Sequence, residues 1–205
     1  MYDTIKSLIE SRVSTNYYDT SRPLSDDEIV DLVRMATCAP SAYNFQNWKF
    51  IAVRTAEAKA RLTAVAYGQQ NVADAPVTFI VCGTLAAYEQ LSTALQPSVD
   101  AGYIDPSVRE GMVNQARASY LDKPLLQRDE AVRSASLAAM TLMLAAQGKG
   151  LSTGPMSGFD PHGVAREFGL GEDEVPVILV TVGYAAQGNR PQKPRRPVDD
   201  VIEFA

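Results

Sequence analysis

The chain has 205 residues, 46% of them hydrophobic and 21% charged, and a net charge of −5. This predicts one folded domain over 1–205 and argues against a non-specific nucleic-acid binder, which needs a basic surface to displace counterions. A single histidine, His162, rules out a multi-histidine metal site, and no metal is expected.

The first residues carry Asp3 and Glu10 and no apolar run, so they do not read as a signal peptide. No segment approaches the roughly 20 apolar residues of a membrane span, so a cytoplasmic protein with no membrane partner is expected. Residues 3–11 place Ile5, Leu8 and Ile9 on one helical face. A second helix opens at Ser25, where Ser25 and Glu28 form a capping box and Asp26, Asp27 and Glu28 favour the positive end of the helix dipole. Ile29, Leu32, Val33 and Ala36 make its buried stripe, and Pro40 stops it.

"WKFIAV" at 48–53 alternates as a strand should. "EAKARLTAVAYG" reads as a helix ending at Gly68, and "VTFIVCG" at 77–83 as a short apolar strand. Residues 84–126 read as a helical excursion in two pieces broken at "QPSVDAGYIDP". The helix over 128–150 is apolar on nearly every side from Leu137 to Ala146, which predicts burial all round, in the domain centre or at a subunit interface. "LSTGPMSGFDP" reads as a glycine-rich loop, "PHGVAREFGL" as a short helix and 175–184 as a central strand. The tail is basic and proline-rich, then ends in "VIEFA", an apolar motif that predicts docking. Cys38 and Cys82 sit in apolar stretches with no CxxC, so they are expected to be buried free thiols. The fold class is α+β, helices around a modest sheet.

The chain has no GxGxxG, P-loop, HExxH or GxSxG motif. His162, where a helix should begin, reads as a surface or capping residue. A chain without proton-transfer machinery can borrow a cofactor and supply binding and electrostatics. Arg12, Ser14 and Asn16 lie in "SRVSTN", and Arg190, Lys193, Arg195 and Arg196 in the tail. Guanidinium forks match phosphate geometry, although a solvated tail would also explain the charge. "APSAYNFQNWKF" at 39–50 offers Ser41, Asn44 and Gln46 to the polar edge of a planar heterocycle, or is an amide-rich turn before a strand. "TGPMSGFD" offers backbone N–H groups and close approach at Gly158.

These segments, in this order, resemble the nitroreductase family of flavin enzymes, with its R-x-S, A-P-S-x-x-N-x-Q-P-W, G-x-x-x-P-x-x-G-F and basic-x-R-x-P motifs. The resemblance covers most of the chain, least of all 84–126, and is closest to a bacterial subgroup of NAD(P)H nitroreductases linked to quinone and aromatic-compound stress. It implies an α+β fold with a central antiparallel-type sheet and an intertwined homodimer sharing FMN. The C-terminal extension, 188–205, would then reach the partner. By position, Arg12, Val13, Ser14, Lys193 and Arg195 would hold the phosphate and ribityl region, with Asn16 beside them. Pro40, Ser41, Ala42 and Asn44 would line the flavin and Gln69 its pyrimidine edge. Pro155, Met156, Ser157 and Gly158 would pack along the ring, the Ser157 N–H donating to flavin N5. NADH or NADPH would reduce the flavin, and nitroaromatics or quinones would reoxidise it. The excursion, with Tyr88, Tyr103 and Tyr120, would roof the acceptor pocket. Asn16 stands where the family often has a lysine or arginine, and Asn47 where it has proline. The alternatives are a same-fold flavin enzyme with another reaction, such as reductive dehalogenation or flavin-ring chemistry, and a non-enzymatic binding protein that uses the basic tail.

Overall fold

The computed structural model describes residues 1–205. Eight helices surround a four-stranded antiparallel sheet of order β1-β2-β4-β3, which is the α+β architecture expected. The strands are β1 (Trp48–Val53), β2 (Val77–Thr84), β3 (Ser152–Met156) and β4 (Glu174–Gly183). The helices are α1 (Tyr2–Ser11), α2 (Asp26–Ala36), α3 (Ala56–Val65), α4 (Gln70–Asp74), α5 (Leu91–Asp100), α6 (Pro106–Tyr120), α7 (Pro124–Gly148) and α8 (Pro161–Phe168).

β2 and β4 are the interior strands because they alone can be covered on both faces. Val77 through Gly83 are all buried. Val77, Phe79 and Val81 face α2 and α7, joined by Leu32, Ala36, Ala139 and Leu142. Ile80 and Cys82 face the other way, with Leu62, Phe159, Val164 and Leu179. Burial of each large side chain contributes roughly 1.5–3 kcal/mol, and this strand pair places such side chains on both of its faces. α7 lies close on β2 because its inner face is Ala131, Ala135, Ala138 and Ala139. A methyl group at Gly83 would collide with the Ala131 carbonyl.

The capping box forms as expected, with the Ser25 N–H donating to Glu28 Oε2 at 2.8 Å and the Glu28 N–H to Ser25 Oγ at 3.2 Å. Two expectations need correction, the loop at 152–156 and the burial of Cys38. Residues 152–156 are an edge strand rather than a loop, because β4 supplies a complete ladder that overrides the poor strand propensity of Gly154 and Pro155. Leu137 and Met140 of α7 are 41% and 37% exposed, so the domain alone does not cover that helix all round, which leaves the subunit-interface alternative. Cys38 is exposed and Cys82 buried, both as free thiols, and burial pushes the Cys82 thiol up to about 12. α1 contains no buried residue, and Ile5 and Ile9 are each 51% exposed. No helix is long and apolar enough to cross a membrane.

A polar knot fastens the segment after α1 to the sheet edge. Tyr18 Oη lies 2.7 Å from Thr181 Oγ1, which donates to the Gly154 carbonyl at 3.1 Å, and the Thr15 N–H donates to the Thr153 carbonyl at 2.9 Å. Glycine is required at 154, since a Cβ there would lie 2.5 Å from the Thr15 carbonyl oxygen and 2.6 Å from Thr181 Oγ1. Gly154→Ala is therefore expected to lower the unfolding free energy by about 1–3 kcal/mol in guanidinium titration, as overpacking does. Gly158→Ala, whose Cβ would meet nothing closer than 3.8 Å, is the control and should change stability by less than about 0.5 kcal/mol.

Candidate functional site

The segment leaving α1 and the segment leaving β4 are more than 170 residues apart in the chain and adjacent in space. Residues 14–19 run along the sheet edge, with bridges Ser14–Thr153 and Tyr18–Ala185. Asn189 then clamps the tail onto them. Its Oδ1 accepts from the Asn16 and Tyr17 N–H groups at 2.8 and 3.1 Å, and its Nδ2 donates to the Tyr17 and Ala186 carbonyls at 2.8 and 3.0 Å. Two basic stretches of an acidic protein are thereby held side by side.

A third segment closes on these two. α3 ends in a tight turn with Tyr67 and Gly68 at positive φ, and this delivers Gln69. The Gln69 amide donates to the Gly158 carbonyl at 2.6 Å and the Ala66 carbonyl at 3.1 Å. The Asp160 N–H donates to the Val65 carbonyl at 2.8 Å, lacing the loop after β3 onto the same turn.

These contacts bound a cleft of about 370 Å³. Ser14 and Asn16 form one side, Gln69, Pro155, Met156 and Gly158 another, and the tail from Arg190 to Arg195 the third. Arg190, Lys193 and Arg195 line it and no acidic residue does. Just before Ser14, Arg12 has its Nη1 buried with no hydrogen-bond partner. An unpaired buried guanidinium N–H costs about 1–3 kcal/mol unless an acceptor arrives from outside. A phosphorylated ligand fits this donor set. A second recess of about 580 Å³ adjoins the first, sharing Asn16, Gln69 and Arg190 and adding Tyr17, Gln70 and Asn71.

Of the residues singled out from sequence, Ser14, Asn16, Gln69, Pro155, Met156, Gly158, Lys193 and Arg195 line this one cleft. Ser157 is exposed on the loop between Met156 and Gly158, and Arg12 and Val13 lead directly into Ser14. Pro40, Ser41, Ala42 and Asn44 do not line it. They precede β1, at the opposite edge of the sheet from β3. Three strand spacings separate the two edges, or about 14 Å.

That distant junction is itself unusual. Tyr43, Asn44 and Gln46 have φ of 53°, 59° and 51°, a region that costs most non-glycine residues about 1 kcal/mol or more. Packing and hydrogen bonds hold them there. Phe45 is buried against Tyr120, ring centroids 5.3 Å apart and nearly perpendicular. Ser41 Oγ accepts from the Gln46 N–H at 2.9 Å. Asn47 bonds Thr84 in both directions, its Nδ2 donating to the Thr84 carbonyl at 3.2 Å and its own carbonyl accepting from the Thr84 N–H at 3.0 Å. Tyr88 and Tyr120 of the excursion are buried beneath this junction, and Tyr103 is 82% exposed. His162 is exposed in the first turn of α8, outside the cleft, its N–H donating to Asp160 Oδ1.

Sequence reasoning missed Asn189 and Asn71. Asn71 donates to Met156 Sδ at 3.2 Å and steadies the cleft wall. Its signal was the amide run Gln69–Gln70–Asn71; that of Asn189 was its place after Gly188, which turns the chain at φ 95°.

The sequence pattern described as "Nitroreductase family" matches residues 9–184. "Putative NAD(P)H nitroreductase YodC" of Bacillus subtilis strain 168 is 34% identical over 180 residues, covering 88% of this chain and 89% of that protein. "Putative NAD(P)H nitroreductase MhqN" of the same organism is 30% identical over 199 residues, covering 96% and 97%. Among solved structures, a "putative nitroreductase in complex with FMN" from Exiguobacterium sibiricum 255-15 superposes with a TM-score of 0.91 at 29% identity, covering 98% of this chain and 97% of that one.

The Asn189 clamp has a direct test. Asn189→Ala removes four hydrogen bonds, each worth about 0.5–1.5 kcal/mol net. The Asn16 and Tyr17 amides, which donate to its side chain, are expected to exchange hydrogen for deuterium at least about ten-fold faster. Amides of β2 should keep their wild-type rates.

Proposed function

Because the chain belongs to the nitroreductase family, we propose that it is an FMN-dependent oxidoreductase. It uses NADH or NADPH to reduce nitroaromatics, quinones or similar electron-poor acceptors. The observation that carries this is the cleft: the tail cations Arg190, Lys193 and Arg195 meet an amide-lined wall, and Arg12, two residues before Ser14, has a buried N–H with no acceptor of its own. FMN held there would supply the hydride and electron chemistry that links a nicotinamide to the acceptor.

The residues divide the work of binding. Arg12, Val13, Ser14, Lys193 and Arg195 hold the phosphate and ribityl chain. Asn16, Gln69, Pro155, Met156 and Gly158 face the ring, and the Ser157 N–H is the proposed donor to its N5. The Gln69 Nε2 is already committed to two carbonyls, so its Oε1 is left to accept from a ring N–H. No carboxylate or imidazole lines the cleft, so the acceptor takes its protons from water and the protein acts by orienting two flat molecules.

Pro40, Ser41, Ala42 and Asn44 contribute from a second copy of the chain, because their own cleft lies at the far edge of the sheet. Support for two copies comes from unpaired apolar surface. Ile5 and Ile9 of α1, Leu137 and Met140 of α7, and Val198, Ile202 and Phe204 of the tail are all exposed. Exposed apolar side chains recurring on two helices and the tail are what a subunit interface would cover. Beyond Arg195 the tail reaches the partner in this reading, while Lys193 and Arg195 stay in the chain's own cleft.

Under anaerobic conditions the FMN-loaded protein is expected to lose its yellow colour on addition of NADH or NADPH and regain it on addition of a quinone or nitroarene. A protein that takes up no FMN contradicts the reading. Arg12→Ala should weaken FMN binding by about 10- to 150-fold in fluorescence titration, as loss of a charged hydrogen bond implies. Sedimentation should give twice the chain mass.

A further inference from the structure

The two recesses meet at a wall of Asn16, Gln69 and Arg190. Arg190 is the only charged residue lining the second recess, where Asn16, Gln69, Gln70 and Asn71 present amides and Tyr17 a phenol. The ion pairs of the chain all lie elsewhere, so this guanidinium has no carboxylate partner. Its position is nonetheless fixed at the root. The preceding residue, Asn189, is pinned by its four hydrogen bonds to the backbone of Asn16, Tyr17 and Ala186. Arg190 therefore leaves the backbone next to Asn16, a neutral residue that lines the same two recesses.

Lys193 and Arg195 line the first recess and not the second. The cations are thus graded along the tail, two at one end and one where the recesses join. A phosphate needs the pair. The single cation faces a wall that is otherwise uncharged.

An isoalloxazine ring is neutral when oxidised. Uptake of a hydride, two electrons and one proton, leaves it an anion. A cation beside it stabilises that anion and has little effect on the neutral form. We propose that Arg190 is the residue that stabilises the reduced flavin and so sets its reduction potential, while Arg12, Lys193 and Arg195 serve the phosphate. The proposal rests on the flavin reading above and goes beyond it by assigning the charge that tunes the reaction.

The test compares the wild-type chain with Arg190→Gln, Arg190→Lys and Asn16→Lys/Arg190→Gln, each loaded with FMN. The midpoint potential is read by anaerobic dye equilibration, and oxidised-FMN affinity by fluorescence titration. A charge within about 4–6 Å shifts such an equilibrium by 1–3 log units, and exposed Arg190 belongs at the low end. Arg190→Gln should therefore lose about ten-fold in reduced over oxidised binding, which for a two-electron couple lowers the potential by about 30 mV. Its oxidised-FMN affinity should stay within about three-fold of wild type. Arg190→Lys should retain the potential, and the double variant should recover it by returning a cation to the same wall. An unchanged potential in Arg190→Gln overturns the proposal. So does an equal loss of oxidised and reduced FMN, which would make Arg190 a phosphate ligand, and so does a double variant that stays low. A wild-type chain that binds no FMN overturns the flavin reading itself and this proposal with it.

Discussion

Two-sided burial of β2 and β4 decides where everything else can go. Interior strands must be covered on both faces, and the packing of Phe79 and Val180 against α2 and α7, and of Ile80 and Leu179 against α3 and α8, does this. β1 and β3 become the edges. Segments that can vary without exposing the core then lie at those edges: the strained junction before β1, and the N-terminal segment, β3 loop and tail beside β3. In the proposed reading, one sheet carries two half-sites at its opposite edges. Two copies in a symmetric pair can bring opposite halves together, and symmetry makes two equal sites from one kind of interface.

The cost of a cation-rich cleft is met by where its backbone is tied. Arg190, Lys193 and Arg195 lie on an exposed tail, and self-repulsion favours spreading them. Asn189 holds the start of that tail by hydrogen bonds to backbone alone, so the anchor does not depend on a ligand. The junction before β1 follows the same logic. Its left-handed residues persist because Phe45, Tyr120 and Asn47 over-determine them, and packing of this kind holds a loop in one conformation.

Much of this was legible in the residues. The capping box at Ser25, the strands at 48–53 and 77–83 and the interior position of 175–184 follow from periodicity and local chemistry, and the structure has them. β3 was not legible: Gly154 and Pro155 look like a turn until β4 is present to pair with them, and only then does the close approach of Thr15 explain the glycine. Asn47 was visible as a departure, but its role needs Thr84, which no short-range pattern connects to it. The helix 128–150 is apolar on nearly every side from Leu137 to Ala146, and composition alone does not tell the domain centre from a subunit interface; Leu137 and Met140 are exposed in the single chain. The eight cleft residues that meet in one chain were found through motif order, whereas spacing along the chain carries no sign that Pro40 to Asn44 lie at the other edge.

The central claim is that each site is built from two chains, and subunit complementation measures it directly. Arg12→Gln disables the half-site beside β3, and Asn44→Gly, chosen to tolerate the positive φ, disables the junction half. Each variant alone should bind FMN poorly. Co-expressed with different tags and isolated as the mixed pair, they should recover one site of wild-type affinity per pair, because one interface joins an intact Arg12 to an intact Asn44. A mixed pair that binds no better than either parent would show that the two halves never meet, and would contradict the account.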